Sequence, residues 1–296
     1  MRIAVTGANS SVGQNLLTHI ANKTAISANA GVRSKNAFHK LPNSELINPC
    51  VINYGDQASL AACFKDVDCV VHLAGILIES KLSNYASANV AATSSVVQAA
   101  QKAGVKHLVF ISVIGASAAS SNSYFKSKGD AESLVTGSGI GASVIRTPIL
   151  IGVGTAGASS LLGAASQAKA KVLGGGNYSM RPLDVDDLTQ AILTCCESRS
   201  KVAEIYELVG PEPIIYRDLI ARTAELLGSR VVISSIPITM AKIGATISRL
   251  LKGGGISSTV IDVITSDEIV AENADTKLGL DLTPLQATLE KIIRNK

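Results

Sequence analysis

The chain has no tryptophan, and Phe and Tyr leave the aromatic share at 3% of 296 residues. So few π-faces disfavour a β-sandwich and a surface for stacking nucleic-acid bases. Basic clusters interleaved with aromatics are missing as well, so no nucleic-acid partner is expected. Cysteines number five, an odd count with no CxxC, and Cys195 and Cys196 are adjacent, a poor geometry for a bridge. A reduced, cytoplasmic setting is expected from that usage. The four histidines, His19, His39, His72 and His107, have no paired ligand spacing, and no metal site is expected. A signal peptide is not expected either, because only Ile3-Ala4-Val5 is apolar before a polar loop begins.

Long apolar runs are scarce. Residues 147–168 carry no charge, but they hold a proline and several Gly and Ser, which give little transfer energy into lipid. They read as buried strand, loop and small-residue helix, so no transmembrane span is expected; peripheral membrane association stays open. What remains is 47% hydrophobic and 17% charged, with a net charge of +4. That composition excludes intrinsic disorder. At roughly 150 residues per domain, the length suits two domains, or one large α/β domain with an appended lobe.

Short apolar runs alternate with helical periods through the first half. Strands are expected at Arg2–Thr6, Ala25–Val32, Val51–Tyr54, Cys69–Leu73, His107–Ser112 and Ala142–Pro148. Helices are expected at Val12–Lys23, Ala58–Phe64, Leu82–Ala103 and Tyr124–Thr136. Apolar strands with helical crossovers predict a doubly wound, Rossmann-type parallel sheet. Residues 1–150 form that domain in this reading, with later sheet elements from about 180–210, and 151–296 supply a smaller lobe for substrate or partner. In that lobe, helices are expected at Asp186–Cys196, Tyr216–Leu227, Thr239–Leu251 and Leu285–Arg294. Strands are expected at Ile205–Val209 and Val231–Ile236, and flexible joints at Gly174–Gly176 and Gly253–Gly255.

Between the first strand and first helix lies Thr6-Gly7-Ala8-Asn9-Ser10-Ser11-Val12-Gly13. That context marks a dinucleotide loop. Gly7 permits the turn, Gly13 lets helix and strand approach, and backbone N–H groups at the helix start, from Asn9 to Val12, face a pyrophosphate. Ser10 stands where a glycine is usual, and its hydroxyl is positioned to bond a phosphate oxygen. An NAD-specific fold places a carboxylate about 20 residues beyond the glycines. Here no Asp or Glu precedes Glu45, whereas Arg2, Lys23, Arg33, Lys35 and Lys40 are all basic. Arg33 follows the second strand, where a 2′-phosphate would sit, so NADP(H) is favoured over NAD(H).

The loop TGANSSVG, Val71-His72-Leu73-Ala74-Gly75, Asn89, the YxxxK of Tyr124 and Lys128, Arg146-Thr147-Pro148 and Pro182-Leu183-Asp184-Val185-Asp186-Asp187 together resemble the short-chain dehydrogenase/reductase superfamily. The likeness is to its extended or atypical branch, over about 210 residues. Within it the chain is similar to NAD-dependent epimerase/dehydratase-like proteins and to the NAD(P)H-binding accessory subunit of respiratory complex I. The resemblance implies cofactor contacts at Asn53, Tyr54, Leu73, Ala74, Gly75, Asn89, Lys128 and Pro148. It also implies pairing of two copies through the helices at Leu82–Ala103 and Tyr124–Thr136. Its Tyr124 would be the acid/base, with Lys128 one turn on lowering the phenol pKa and bonding the nicotinamide ribose. The hydroxyl that family reductases carry beyond the fifth strand is displaced here. Ser112 lies about two residues early, Val113 and Ile114 cannot bond, and Ser117, Ser120, Ser121 and Ser123 remain unranked substitutes.

Two readings follow. One is an oxidoreductase acting on a carbonyl or alcohol of a small-molecule substrate through Tyr124, Lys128 and Ser112. The apolar lobe residues Ile149–Ile151, Leu161, Leu162, Ile214, Ile236 and Ile238 suit a less polar substrate than a nucleotide sugar. The other is a non-catalytic NADP(H)-binding protein working through a partner such as a respiratory complex, with Ala156–Ala170 as a partner surface.

Overall fold

The computed structural model describes residues 1–23, 25–252 and 255–296, with the side chains of Lys23 and residues 248–252 outside that description. Gly253 and Gly254, expected to form a joint, therefore lie outside the described residues. Six parallel strands open the chain: β1 (Arg2–Thr6), β2 (Ser27–Val32), β3 (Ile47–Val51), β4 (Cys69–His72), β5 (His107–Val113) and β6 (Gly141–Thr147). After the short strands β7 (Leu150–Ile151), β8 (Lys169–Leu173), β9 (Ser179–Met180) and β10 (Leu183–Asp184) comes β11 (Ala203–Glu207), which joins the main sheet. The sheet order is β11-β6-β5-β4-β1-β2-β3, every neighbour parallel. Order reverses between β1 and β4, the switch point where ligands bind in doubly wound folds.

Successive side chains on a strand point to opposite faces, and both faces here are covered. Ile3 and Val5 face α1 (Ser11–Lys23), together with Val71, Val109 and Ile145. Ala4, Val70, Leu108, Phe110 and Val144 face the other layer, made of α2 (Gln57–Cys63), α3 (Ala92–Lys102) and α4 (Ser123–Thr136). A third core lies in the lobe, under α5 (Ala156–Ala165), while α6 (Val185–Ser198) packs beside α1 on the sheet. The lobe also contains β12 (Ile214–Ile215), α7 (Tyr216–Leu226), β13 (Val232–Ile236), α8 (Ile238–Lys252), α9 (Ser258–Ile264), α10 (Asp275–Leu278) and α11 (Leu285–Arg294).

Four local expectations are corrected. The third strand runs Ile47–Val51 instead of Val51–Tyr54. It is an edge strand, where Pro49, which has no N–H to donate, is tolerated. The long helix does not begin at Leu82, whose side chain is 98% exposed, but with one π-helical turn at Ala86–Ala91. Gly174–Gly176 form an ordered 3₁₀ turn in which all three residues have positive φ and Gly175 and Gly176 are buried. Glycine is required there by conformation, not for flexibility. Finally, Cys50 and Cys63 are joined by a disulfide, against the expected reduced set. The crossover from β3 to α2 brings their Cα atoms to 6.1 Å, a proximity that cysteine counting cannot detect. Cys69, Cys195 and Cys196 are buried thiols.

Candidate cofactor and active site

Gly7 has a φ of 72°, and a Cβ there would lie 3.1 Å from the backbone nitrogen of Ala74. The turn thus brings the loop after β1 against the loop after β4. A Cβ on Gly13 would stand 2.6 Å from the Ala8 carbonyl oxygen and 2.7 Å from that of Gly7. Only glycine lets α1 start this close to the loop. Ser10 Oγ accepts from the Gly13 N–H at 3.0 Å, so this hydroxyl caps the helix and still has its hydrogen to donate to a ligand. The N–H groups of Ser11 and Val12 head α1, where no helical carbonyl precedes them. Aligned with the helix dipole, they form a cradle for phosphate. The fit to a dinucleotide is therefore good at the pyrophosphate end.

At the adenosine end Arg33 is exposed just after β2. Its charge acts on Tyr54, whose phenol bonds the Thr6 side chain and is pushed up to about 12, chiefly by burial. Asn53 Oδ1 accepts from the Gly55 N–H at 2.9 Å, a turn that precedes α2. No Asp or Glu approaches Arg33 in sequence before Glu45.

His72, at the end of β4, is held on both ring nitrogens, 2.6 Å from Thr6 Oγ1 and 3.0 Å from Thr93 Oγ1. Thr93 donates to the Asn89 carbonyl, so His72 donates through Nε2 and accepts at Nδ1. Burial, helped by the charge of Lys128, drives its pKa down to about 3. The unfolded chain, with an ordinary histidine pKa near 6.5, binds the extra proton first as pH falls. Stability from this group is therefore complete above about pH 6.5 and falls toward pH 3, by about 1.4 kcal/mol per pH unit. Urea unfolding at pH 6.5 and pH 4 should show His72→Gln losing about 3 kcal/mol less than the parent over that interval. Equal losses would refute the neutral, buried assignment.

Asn89 lies in the π-helical turn and is 1% exposed. Its Oδ1 accepts from the Ile76 N–H at 2.8 Å, and its Nδ2 donates to the Ile76 carbonyl and to Ser127 Oγ. Its side chain thus clamps the loop after β4 to α4. Gly75 makes room for the clamp, because a Cβ there would lie 3.2 Å from Asn89 Oδ1 and 3.9 Å from Lys128 Nζ.

Lys128 is the cation of the site. Its Nζ donates to the Ile111 carbonyl at 2.7 Å and lies 4.3 Å from the centre of the Phe110 ring. Burial lowers its pKa to about 8, against a smaller opposing pull from Glu132. Tyr124 stands one turn earlier on α4, its ring 5.7 Å from that of Tyr85. Its pKa is raised, by burial first and by Tyr85 second. Burial, not Lys128, sets the direction of that shift. Ser112 is 1% exposed, and its Oγ is buried without a hydrogen-bond partner. Ser117 and Ser120 use their hydroxyl oxygens to accept backbone N–H groups of their own loop.

Several residues that matter to the site escape a reading of the sequence. A Cβ on Gly129 would overlap the backbone of Ser117 and Ala118, so this glycine lets the loop after β5 lie on α4. A lone Gly inside a helical pattern was the only signal for it. Glu132 takes both Nε and Nη2 of Arg146, at 3.0 and 2.7 Å, which ties α4 to β6. Glu268 accepts from the N–H groups of Ile149 and Arg181, at 2.7 and 2.9 Å, and fixes the chain just after Pro148. Asp184, 1% exposed, holds Lys291 and Thr288 of α11.

Comparison with known proteins agrees with this geometry. A family model described as NAD(P)H-binding matches residues 7–174. No curated protein sequence matches the chain. Among solved structures, MoeE5 in complex with UDP-glucuronic acid and NAD superposes with a TM-score of 0.78 at 19% identity, over 100% of this chain and 99% of that one. The triphenylmethane reductase of Citrobacter sp. complexed with NADP(H) gives 0.76 at 20% identity, over 98% and 99%. UDP-glucuronic acid 4-epimerase of Bacillus cereus, with NAD, gives 0.76 at 15% identity, over 100% of both chains. These likenesses establish a shared fold across reductases and epimerases that use either cofactor. No helix among the described residues is long and apolar enough to cross a membrane.

Proposed function

The chain belongs to the NAD(P)H-binding family, and from that membership we propose that it is an NADP(H)-dependent oxidoreductase acting on a carbonyl or alcohol. The observation that carries the reading is the placement of Lys128 Nζ, buried at the switch point beside Gly75, with Tyr124 one helical turn away. Bound along the cradle from Gly13 to Lys128, the nicotinamide would supply or accept the hydride. Tyr124, held as a neutral phenol by burial, donates a proton to the substrate oxygen during reduction and recovers it in the reverse direction. Lys128, cationic below about pH 8, stabilises the phenolate left behind. Ser112, in β5, is the third candidate member of this site, and the apolar lobe residues Ile149–Ile151, Leu161 and Leu162 suit a weakly polar substrate.

The cofactor preference rests on Arg33 and the lack of a competing carboxylate. Arg33→Ala should weaken NADPH by about 10-fold, equivalent to about 1.4 kcal/mol, and NADH by less than about 2-fold. Fluorescence titration with both cofactors checks this, and equal losses would overturn the preference. Activity itself is tested by screening aldehydes, ketones and quinones for NADPH oxidation. Firm NADPH binding without turnover across those classes would contradict the enzymatic reading and leave a binding protein.

A further inference from the structure

Helix α8 is turned inside out for a surface helix. Met240, Ile243 and Ile247 follow one another at i, i+3 and i+7, and they are 66%, 63% and 54% exposed. The flank facing the protein instead carries Lys242, which pairs with Asp262 of α9 at 2.5 Å, and the less exposed Ala241 and Ala245. A helix on water normally points its apolar stripe inward and its charges outward. Single exposed apolar residues need no explanation, but an aligned stripe on one helix marks a contact surface.

The charge around that stripe says what covers it. Residues 226–261, which include β13 and α8, contain Arg230, Lys242, Arg249 and Lys252 and no Asp or Glu. Strand β8 pairs with β13, placing Lys169 opposite Val232 and Lys171 opposite Ser234. Both lysines are exposed, and Val232 is 64% exposed. No acidic residue occurs from 133 to 183 either, so the strand and helix that flank β8 add no anion. Asp262, on α9 beside α8, is paired with Lys242, so the stripe lies in a net cationic surrounding, which matches an interface that is apolar within and anionic at its surface.

We propose that the α8 face of the lobe docks on an anionic lipid surface, with Met240, Ile243 and Ile247 entering the acyl boundary. A second copy of the chain is a poorer occupant. A 15-residue helix with three large apolar side chains outward offers well under the area, about 800 Å² per partner, of a standard protein interface. A bilayer sets no such threshold, because each inserted side chain contributes independently.

Co-sedimentation of the full chain with phosphatidylcholine vesicles, with and without phosphatidylglycerol, tests this. Expected is binding to the phosphatidylglycerol vesicles only, weakened by high salt. The variant M240S/I243S/I247S should lose at least about 10-fold in partitioning, with NADPH binding retained as the sign of an intact fold. Ile243→Trp gives an independent reading, since the chain has no other tryptophan: its emission should shift to the blue on anionic vesicles. Equal binding to neutral vesicles, unchanged partitioning of the triple variant, or an unshifted tryptophan would overturn the proposal. So would a parent dimer that the triple variant converts to monomer in light scattering, which would assign the stripe to a second copy.

Discussion

Gly13→Ala is expected to weaken NADPH by at least about 100-fold, or about 2.7 kcal/mol, while the sheet remains folded. The added methyl would have to occupy space 2.6 Å from the Ala8 carbonyl and 2.7 Å from the Gly7 carbonyl. Both obstacles are backbone, so no side chain can rotate away. The helix start must lift from the loop, and the Ser11 and Val12 N–H groups move with it. Because the helix dipole acts over a single turn, a small displacement removes much of its grip on phosphate. The Gly13 N–H also loses its bond to Ser10 Oγ. Overpacking of this kind costs about 1–3 kcal/mol of stability, so circular dichroism should report a folded chain with a lower melting point. Binding within a few-fold of the parent would show that the cradle is not where the cofactor sits.

Tyr124→Phe is expected to reduce turnover on any substrate found by at least about 100-fold, the usual contribution of a positioned acid. Its effect on NADPH affinity should stay within about 2-fold, because the ring and its packing against Tyr85 and Phe125 are kept. The split between turnover and binding separates a proton donor from a packing residue. Steady-state kinetics beside a cofactor titration measure both, and an unchanged turnover would remove Tyr124 from the chemistry.

The parts of this protein that could be read from the sequence are those encoded by adjacent residues. The loop from Gly7 to Gly13 is one, because strand, turn and helix signals follow one another within eight positions. The parallel sheet is another, since its strands are apolar on both faces. Edges and starts were harder. Val51 to Tyr54 resemble a strand by composition, yet the edge strand lies three to four residues earlier and includes Pro49. Leu82 looks like a helix residue but is exposed before the first turn.

Long-range pairs left no trace at all. Asp184 and Lys291, Glu268 and Ile149, and Glu132 and Arg146 meet only because the chain folds back, and no spacing rule couples residues so far apart. The same holds for burial. YxxxK was visible, but not that desolvation would raise the Tyr124 pKa, nor that Asn89 would spend its amide on Ile76 and Ser127. Such features are properties of packing, and one sequence carries them only implicitly.

Calorimetric titration of the purified chain with NADPH, and separately with NADH, is the most direct measurement. One site per chain is expected, with NADPH at least about 10-fold tighter, a difference of about 1.4 kcal/mol set by the cation at Arg33. Absence of heat and of saturation with both cofactors would contradict the assignment of the Gly7–Gly13 loop as a dinucleotide site.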